Sequence, residues 1–170
     1  MGRKVKCYAT GEEGTNDTFV KIGDHYYKSQ AVYDEYRHEI DTRKLIVSKI
    51  ANEFLGYHKG QKFPAYINKK LGEFSYYKAD VILKTIEKKN DSIMYFMQNK
   101  EFKSESGKIS YIFAIISNNI NDVNKEYQWH KKAEQQEHKT EMISVPEITI
   151  SAPVNSGVRD ITNWLEDEDI

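Results

Sequence analysis

The chain of 170 residues carries 25 lysines and arginines, 26 aspartates and glutamates, and a formal net charge of −1. Its hydrophobic content of 39% is enough for one folded core, while 30% charged residues and a mean hydropathy of −0.73 predict a cytoplasmic protein with no membrane association. The longest apolar run, at 111–116, is far shorter than the roughly 18 residues of a membrane span. The single cysteine, Cys7, excludes an internal disulfide.

The charge is distributed unevenly along the chain. Residues 141–170 carry seven acidic side chains and one basic side chain, a net charge of −6, which leaves +5 on residues 1–140. A mildly basic body with an acidic tail indicates a polyanionic partner such as DNA, together with a tail that competes for the body or recruits a partner. An ordinary solvated surface with a tail that aids solubility explains the same numbers equally well.

The first 55 residues predict a three-stranded β-meander followed by a long helix. A turn is predicted at 11–17, where glycine, asparagine and aspartate are concentrated. The three strands are predicted at 4–8, 18–22 and 25–28. Ser29 is the predicted N-cap of a helix that reaches Leu55 and ends at Gly56. Its predicted inward face consists of Val32, Tyr36, Ile40, Val47, Ile50 and Phe54.

This N-terminal pattern resembles a treble-clef or zinc-ribbon module whose metal site has decayed. Cys7 stands at the first ligand position, and Thr10-Gly11 stands where the second cysteine and its glycine would be. Residues 28–33, at the helix start, contain neither cysteine nor histidine. A structural zinc site needs four ligands, and only Cys7 and His25 are available, so no metal or other cofactor is predicted. Packing is expected to hold the hairpin to the helix through Phe19, Ile22, Tyr26, Tyr27 and Tyr33.

Residues 56–138 predict a bundle of four to six helices. One helix is predicted from Pro64 to Phe74, a second from Ser75, and a third at 92–98. Apolar spacing puts Ile67, Leu71, Phe74, Val81, Ile82 and Ile86 in the core. On the second of these helices an exposed basic side is predicted at Lys84, Lys88 and Lys89.

The segment 108–127 is the most regular helical stripe of the chain. Its apolar positions step by three or four residues, through Ile109, Ile112, Ile116, Ile120, Val123 and Tyr127, with Phe113 and Ile115 widening the stripe. This helix is predicted to be the central core element of an α+β fold that is mainly α. The predicted domains are a β-meander with its helix at 1–55, a helical bundle at 56–138 and a disordered acidic tail at 139–170.

The opening of this last helix resembles the DnaD-like module of replication proteins from Gram-positive bacteria and their phages. The matching positions are Tyr111, Ile112, Ile115, Ile116 and Asn118, although the tryptophan of that module is absent near Asn119. In that family a charged extension after the helix is implicated in DNA binding. The composition, rich in lysine, asparagine and tyrosine, is also similar to that of small proteins from phages and mobile elements.

An aromatic and basic cluster follows the core stripe. The segment 128–138 is polar except for Trp129, and it begins with Trp129, His130, Lys131 and Lys132. Such a cluster suits contact with a phosphate backbone, with the indole stacked on a base. A tryptophan that covers the end of the bundle beside solvated lysines is the alternative. Together with the basic side at 84–89, this cluster is the predicted nucleic-acid-binding site.

The C-terminal tip combines acidic residues with large apolar ones, which is typical of a docking peptide. The predicted partner-binding residues are Trp164, Leu165, Glu166, Asp167, Glu168, Asp169 and Ile170. The expected partner is a host or phage protein of replication or defence. The alternative is that the tip folds back on the basic body. The sequence does not indicate an oligomeric state.

The sequence contains no phosphate-binding loop, no dinucleotide-binding glycine pattern and no Gly-x-Ser-x-Gly motif, so no enzyme is predicted. The predicted function is that of a phage or mobile-element accessory protein in DNA replication or another nucleic-acid transaction. The alternative is a protein-only inhibitor or adaptor that binds a host or defence protein, with the acidic tail mimicking DNA.

Overall fold

The computed structural model describes residues 2–58 and 60–141 and confirms the predicted α+β class, mainly α. The predicted docking peptide and nearly all of the predicted disordered tail, from residue 142 onward, lie outside the described residues. Among the residues described, four short strands precede five α-helices, which are α1 (Gln30–Lys49), α2 (Ala65–Gly72), α3 (Ala79–Lys88), α4 (Asn90–Asn99) and α5 (Glu105–Glu141). Within the described part of the chain, no helix combines the length and apolar character needed to cross a membrane.

The strands form two separate hairpins and not the single three-stranded meander that the sequence predicts. An isolated parallel bridge between Cys7 and Tyr26 links the two. The antiparallel pairs are β1 (Lys4–Lys6) with β2 (Glu13–Thr15), and β3 (Val20–Ile22) with β4 (His25–Tyr27). Strand β2 lies inside the segment that was predicted as a turn.

Two glycines with different roles explain why the segment predicted as a turn contains a strand. Gly11 has a φ of +73°, a left-handed conformation that suits a turn between β1 and β2. Gly14 lies within β2, and a Cβ atom there would come within 2.3 Å of the Phe19 ring. Gly14 therefore accommodates a ring packed on the strand. Composition alone does not distinguish such a glycine from one that reverses the chain.

Helix α1 begins at its predicted N-cap, but its α-helical part ends at Lys49, before the predicted end at Leu55. The Ser29 hydroxyl accepts a hydrogen bond from the Val32 N–H at 3.3 Å, which makes Ser29 the N-cap. Past Lys49 the helix continues as a π-helical segment, Ile50–Phe54, in which the Leu55 N–H bonds to the Ile50 carbonyl at 3.2 Å. Gly56, with a φ of +76°, follows it.

The buried face of α1 differs from the predicted one. Ile50 and Phe54 are buried as expected, and the other fully buried side chains of this region are Thr42, Ile46 and Ala51. The remaining predicted positions, Val32, Tyr36, Ile40 and Val47, are half-buried. The face that α1 turns toward α3 is thus partly polar.

The helical core forms around α5 as predicted. Ile109, Ile112, Ile116, Ile120 and Val123 are all buried, and Tyr127 packs against them. The inward residues predicted for α2 and α3 are buried as well, at Ile67, Leu71, Phe74, Val81, Ile82 and Ile86. Helix α3 begins at Ala79 and not at Ser75, because residues 73–76 form a turn after α2. Since α1 packs on α3, the core crosses the predicted domain boundary at residue 55.

An ion pair between α1 and the start of α3 predicts a dependence of stability on pH. The Glu35 carboxylate lies 2.6 Å from the Lys78 ammonium, whose hydrogen bond and charge lower the pKa of Glu35. A lowered folded-state pKa means that the pair stabilises the fold above the ordinary carboxyl pKa of about 4.3, and that this contribution is lost as the pH falls through the lowered value. Both side chains are more than one-third exposed, which limits the contribution to less than about 1 kcal/mol.

We therefore expect Glu35→Gln to lower the melting temperature slightly at pH 7. The difference from the wild type should shrink toward zero at the lowest pH at which both proteins still fold. Thermal melts followed by circular dichroism across the acid range measure this difference. A gap that stays constant with pH would show that the substitution acts through packing and not through the charge.

Candidate nucleic-acid interface

The basic residues of α3 meet the second half of α5 around one carboxylate. The Lys88 ammonium donates a hydrogen bond to the Glu126 carboxylate. The pKa of Glu126 is lowered first by this hydrogen bond and the charge of Lys88, and further by the charges of Lys84 and His130. Residues that are remote in sequence thus surround Glu126.

Trp129 extends the same part of the surface. Positions 126, 129 and 130 are three and four residues apart, so they share one face of α5. The rings of Trp129 and His130 meet edge to face, with centroids 5.0 Å apart. The Trp129 side chain is 67% exposed and so does not serve as a cover for the bundle. The residues around Glu126 are Lys84, Lys88, Trp129 and His130. We call these four residues the α3–α5 basic surface.

The other predicted nucleic-acid-binding residues do not all belong to this surface. The pKa of Glu35 on α1 is lowered mainly by Lys78 and more weakly by Lys131, which places Lys131 toward α1. Lys132 is exposed on α5. Lys89 follows the last residue of α3 and is half-buried, as is Lys84. The prediction of a uniformly exposed basic side is therefore wrong for these two lysines, because each packs part of its side chain against the bundle.

Glu126 is a residue of this surface that the sequence does not predict. Its acidic group lies among the cations and offsets part of their charge. The spacing of four residues between Glu126 and His130 is a detectable signal for a contact within α5. The contact with Lys88 has no local signal, because it depends on how α3 and α5 pack.

Hydrogen bonds around the buried Cys7 thiol lower its pKa. Burial of the Cys7 thiol acts to raise its pKa, but hydrogen bonds from the Thr10 side chain and from the backbone at Thr10, Lys28 and Ala9 outweigh it, so the pKa is lowered. In the described ranges, no group of three or more histidine, cysteine, aspartate or glutamate side chains is placed to hold a metal ion.

The predicted partner-binding residues, Trp164, Leu165, Glu166, Asp167, Glu168, Asp169 and Ile170, lie outside the described residues. For these positions the docking prediction stays a prediction that is based on sequence alone.

Comparison with known protein families gives a match over most of the chain. The family described as SPbeta prophage protein YorH matches residues 7–155 of the chain, which is most of its length. No curated protein and no solved structure matches the chain significantly.

Proposed function

The chain belongs to the SPbeta prophage protein YorH family, and from this premise we propose that it is a non-enzymatic prophage accessory protein that binds DNA. The observation that supports this proposal best is the α3–α5 basic surface. It combines cations from two helices with an exposed indole. We place the role of the protein in DNA replication or a related nucleic-acid transaction, without a cofactor.

In this proposal the cations contact phosphates and the indole contacts a base. Lys88 and Lys84 supply positive charge from α3, and Trp129 supplies a flat ring on which an unpaired base can stack. Glu126 opposes binding, because its carboxylate repels phosphate and occupies Lys88 in the free protein. The affinity of this surface is thus expected to be modest and sensitive to salt.

We propose a second role, the binding of a partner protein, for the acidic C-terminal residues. Residues 141–170 have a net charge of −6 and include Trp164 and Leu165 near the end. A charged segment with apolar anchors suits recruitment of a replication or defence protein. If the chain binds no DNA, this segment favours the second candidate function, a protein-only inhibitor or adaptor in which the acidic tail mimics DNA.

Two finer relationships also stay proposals. A metal-free module of zinc-ribbon type at the N-terminus is supported by the backbone hydrogen bonds to the buried Cys7 thiol. A DnaD-like arrangement is supported by α5, which carries the apolar positions of the motif and continues into a polar segment with Trp129.

The experiment is a titration of labelled duplex DNA that carries a single-stranded overhang with the full-length chain, followed by fluorescence anisotropy at several salt concentrations. We expect Lys84→Gln/Lys88→Gln to weaken binding roughly tenfold and to reduce the slope of log affinity against log salt by about 2. Glu126→Gln should tighten binding, because it removes a negative charge and releases Lys88.

The control is Lys62→Gln/Lys103→Gln, which makes the same change in net charge at two exposed lysines in loops before α2 and α5. Its affinity for DNA should stay within about twofold of the wild type if binding is local to the α3–α5 basic surface. Equal weakening by both double variants would indicate nonspecific attraction. Absence of DNA binding at low salt by the wild type would overturn the proposal and leave the protein-only role.

A further inference from the structure

A cavity of about 340 Å³ lies between the turn of the β3–β4 hairpin and the first half of α1, and it shares no lining residue with the α3–α5 basic surface. Its volume falls within the range typical of small-molecule sites, about 300–1,000 Å³. The wall is unusually aromatic for a small module. Five rings and one guanidinium line it, from Tyr8, His25, Tyr27, Tyr33, Tyr36 and Arg37.

Two of these rings form a stacked pair at the surface. The ring centroids of Tyr8 and His25 are 3.9 Å apart, and their planes differ by 18°. The Tyr8 side chain is 53% exposed, and His25 is exposed as well. A stacked pair covers one face of each ring, and the outer face of the exposed His25 ring is the one that can receive a third planar group.

The orientation of the pair is fixed by the rings beneath it. Tyr8 meets Tyr36 edge to face at 5.7 Å and Tyr27 at 6.2 Å. Tyr27, at 4% exposure, is the ring that fills the core of the module, and its centroid lies 5.0 Å from that of Tyr33. The outer pair is therefore not needed to exclude water from the core. It is held in place before any ligand arrives, which reduces the entropic cost of binding.

The charged groups at the cavity suit a nucleotide. Arg37 lines the wall, and within the described part of the chain its guanidinium makes a long ion-pair contact of 3.4 Å with the exposed Asp41. It is thus able to reach a phosphate. The Asp24 carboxylate, also at the cavity, is an acceptor for an exocyclic amino group. A cationic ligand such as a methylated amine fits less well, since Arg37 would repel it.

We propose that this cavity binds a nucleobase stacked on the Tyr8–His25 pair, with Arg37 directed to its phosphate. The base comes either from a free nucleotide or from an unpaired position in a single strand. This inference does not depend on DNA binding by the α3–α5 basic surface.

The test measures binding by the full-length chain to three probes: adenosine 5′-monophosphate, a ten-nucleotide single strand of deoxyadenosine, and a duplex of the same length. Saturation-transfer NMR detects the mononucleotide, and fluorescence anisotropy detects the two labelled DNAs. Loss of one stacking ring in His25→Ala should weaken the nucleobase probes roughly tenfold. Affinity for the duplex should not change, because its bases are paired.

Two variants control for the fold and for ring chemistry. His25→Phe keeps a flat ring and should restore binding, whereas Tyr76→Ala removes a tyrosine that is 75% exposed between α2 and α3 and should bind like the wild type. Dependence on His25 for the mononucleotide identifies a nucleotide site, and dependence for the single strand alone identifies an unpaired base as the ligand. Equal affinity of all variants, or no binding of either nucleobase probe by the wild type, would overturn the proposal.

Discussion

Ile116→Ala is expected to lower the free energy of unfolding by about 3 to 4 kcal/mol. Ile116 is fully buried at the centre of the α5 stripe, and the helices around it form one continuous core. Truncation removes buried methyl and methylene groups and leaves a cavity that rigid helices fill only in part. Urea unfolding followed by circular dichroism gives the free energy and shows whether the transition stays cooperative.

The neighbouring residue provides the matched control. Ile115 has the same side chain on the same helix but is half-buried. Ile115→Ala is expected to cost only about 1 kcal/mol, because less apolar surface becomes exposed and no closed cavity forms. Equal losses at the two positions would contradict the central place of the Ile116 stripe in the core.

The second large effect is expected at Glu39, where truncation should cost about 2 to 3 kcal/mol. Its carboxylate accepts a hydrogen bond from the Arg43 Nε at 2.9 Å and from the Ala79 N–H at 3.1 Å. Arg43 also donates to the Tyr77 carbonyl at 3.0 Å. The Glu39 carboxylate on α1 thus accepts a hydrogen bond from the first turn of α3. It also orients Arg43, which binds the chain just before α3. Glu39→Ala would leave a half-buried guanidinium and an N–H group without this acceptor.

The control is Glu53→Ala, which breaks the pair with Lys49 on the more exposed side of the same helical segment. Its expected cost is below about 1 kcal/mol, as for other surface pairs. Glu39→Gln should fall between the two, since the amide oxygen still accepts from Ala79 while the charge is lost. Chemical unfolding measures the free energy of unfolding of the three variants and so ranks their costs. A cost for Glu39→Ala no larger than that for Glu53→Ala would mean that the contact is incidental.

The contact between Glu39 and the start of α3 shows why the sequence predicts some parts of the fold and not others. The α5 stripe follows from apolar spacing alone, because every neighbour of that helix contributes hydrophobic surface. The face that α1 presents to α3 contains Glu39, Thr42 and Arg43 beside Ile46. A hydrophobic pattern assigns such polar positions to solvent, and only the position of the first turn of α3 shows why they face inward.

The residues of the two candidate sites are also predicted only in part by the sequence. Lys88 and His130 were predicted separately as basic residues, but the carboxylate that brings them together depends on packing between α3 and α5. The high proportion of aromatic residues among the first 36 residues is a sequence signal for the aromatic cavity. Packing is the role predicted from the sequence for Tyr27 and Tyr33, and the burial of Tyr27 agrees with it. The exposed stack of Tyr8 on His25 results from the pairing of the hairpins, which local patterns do not specify.

The π-helical segment at Ile50–Phe54 makes the end of the first long helix tolerant of changes in chain length. Its wider hydrogen-bonding pattern takes up one residue more than an α-helical turn, while the helix before it keeps its orientation. Loss of one residue there would convert the segment to ordinary α-helix and leave Ile46 before it and Tyr57 after it in phase with the core. The same deletion within α5 would rotate every later member of the buried stripe by about 100°. Single-residue deletions among family members are therefore expected to be tolerated in the first of these places and excluded from the second.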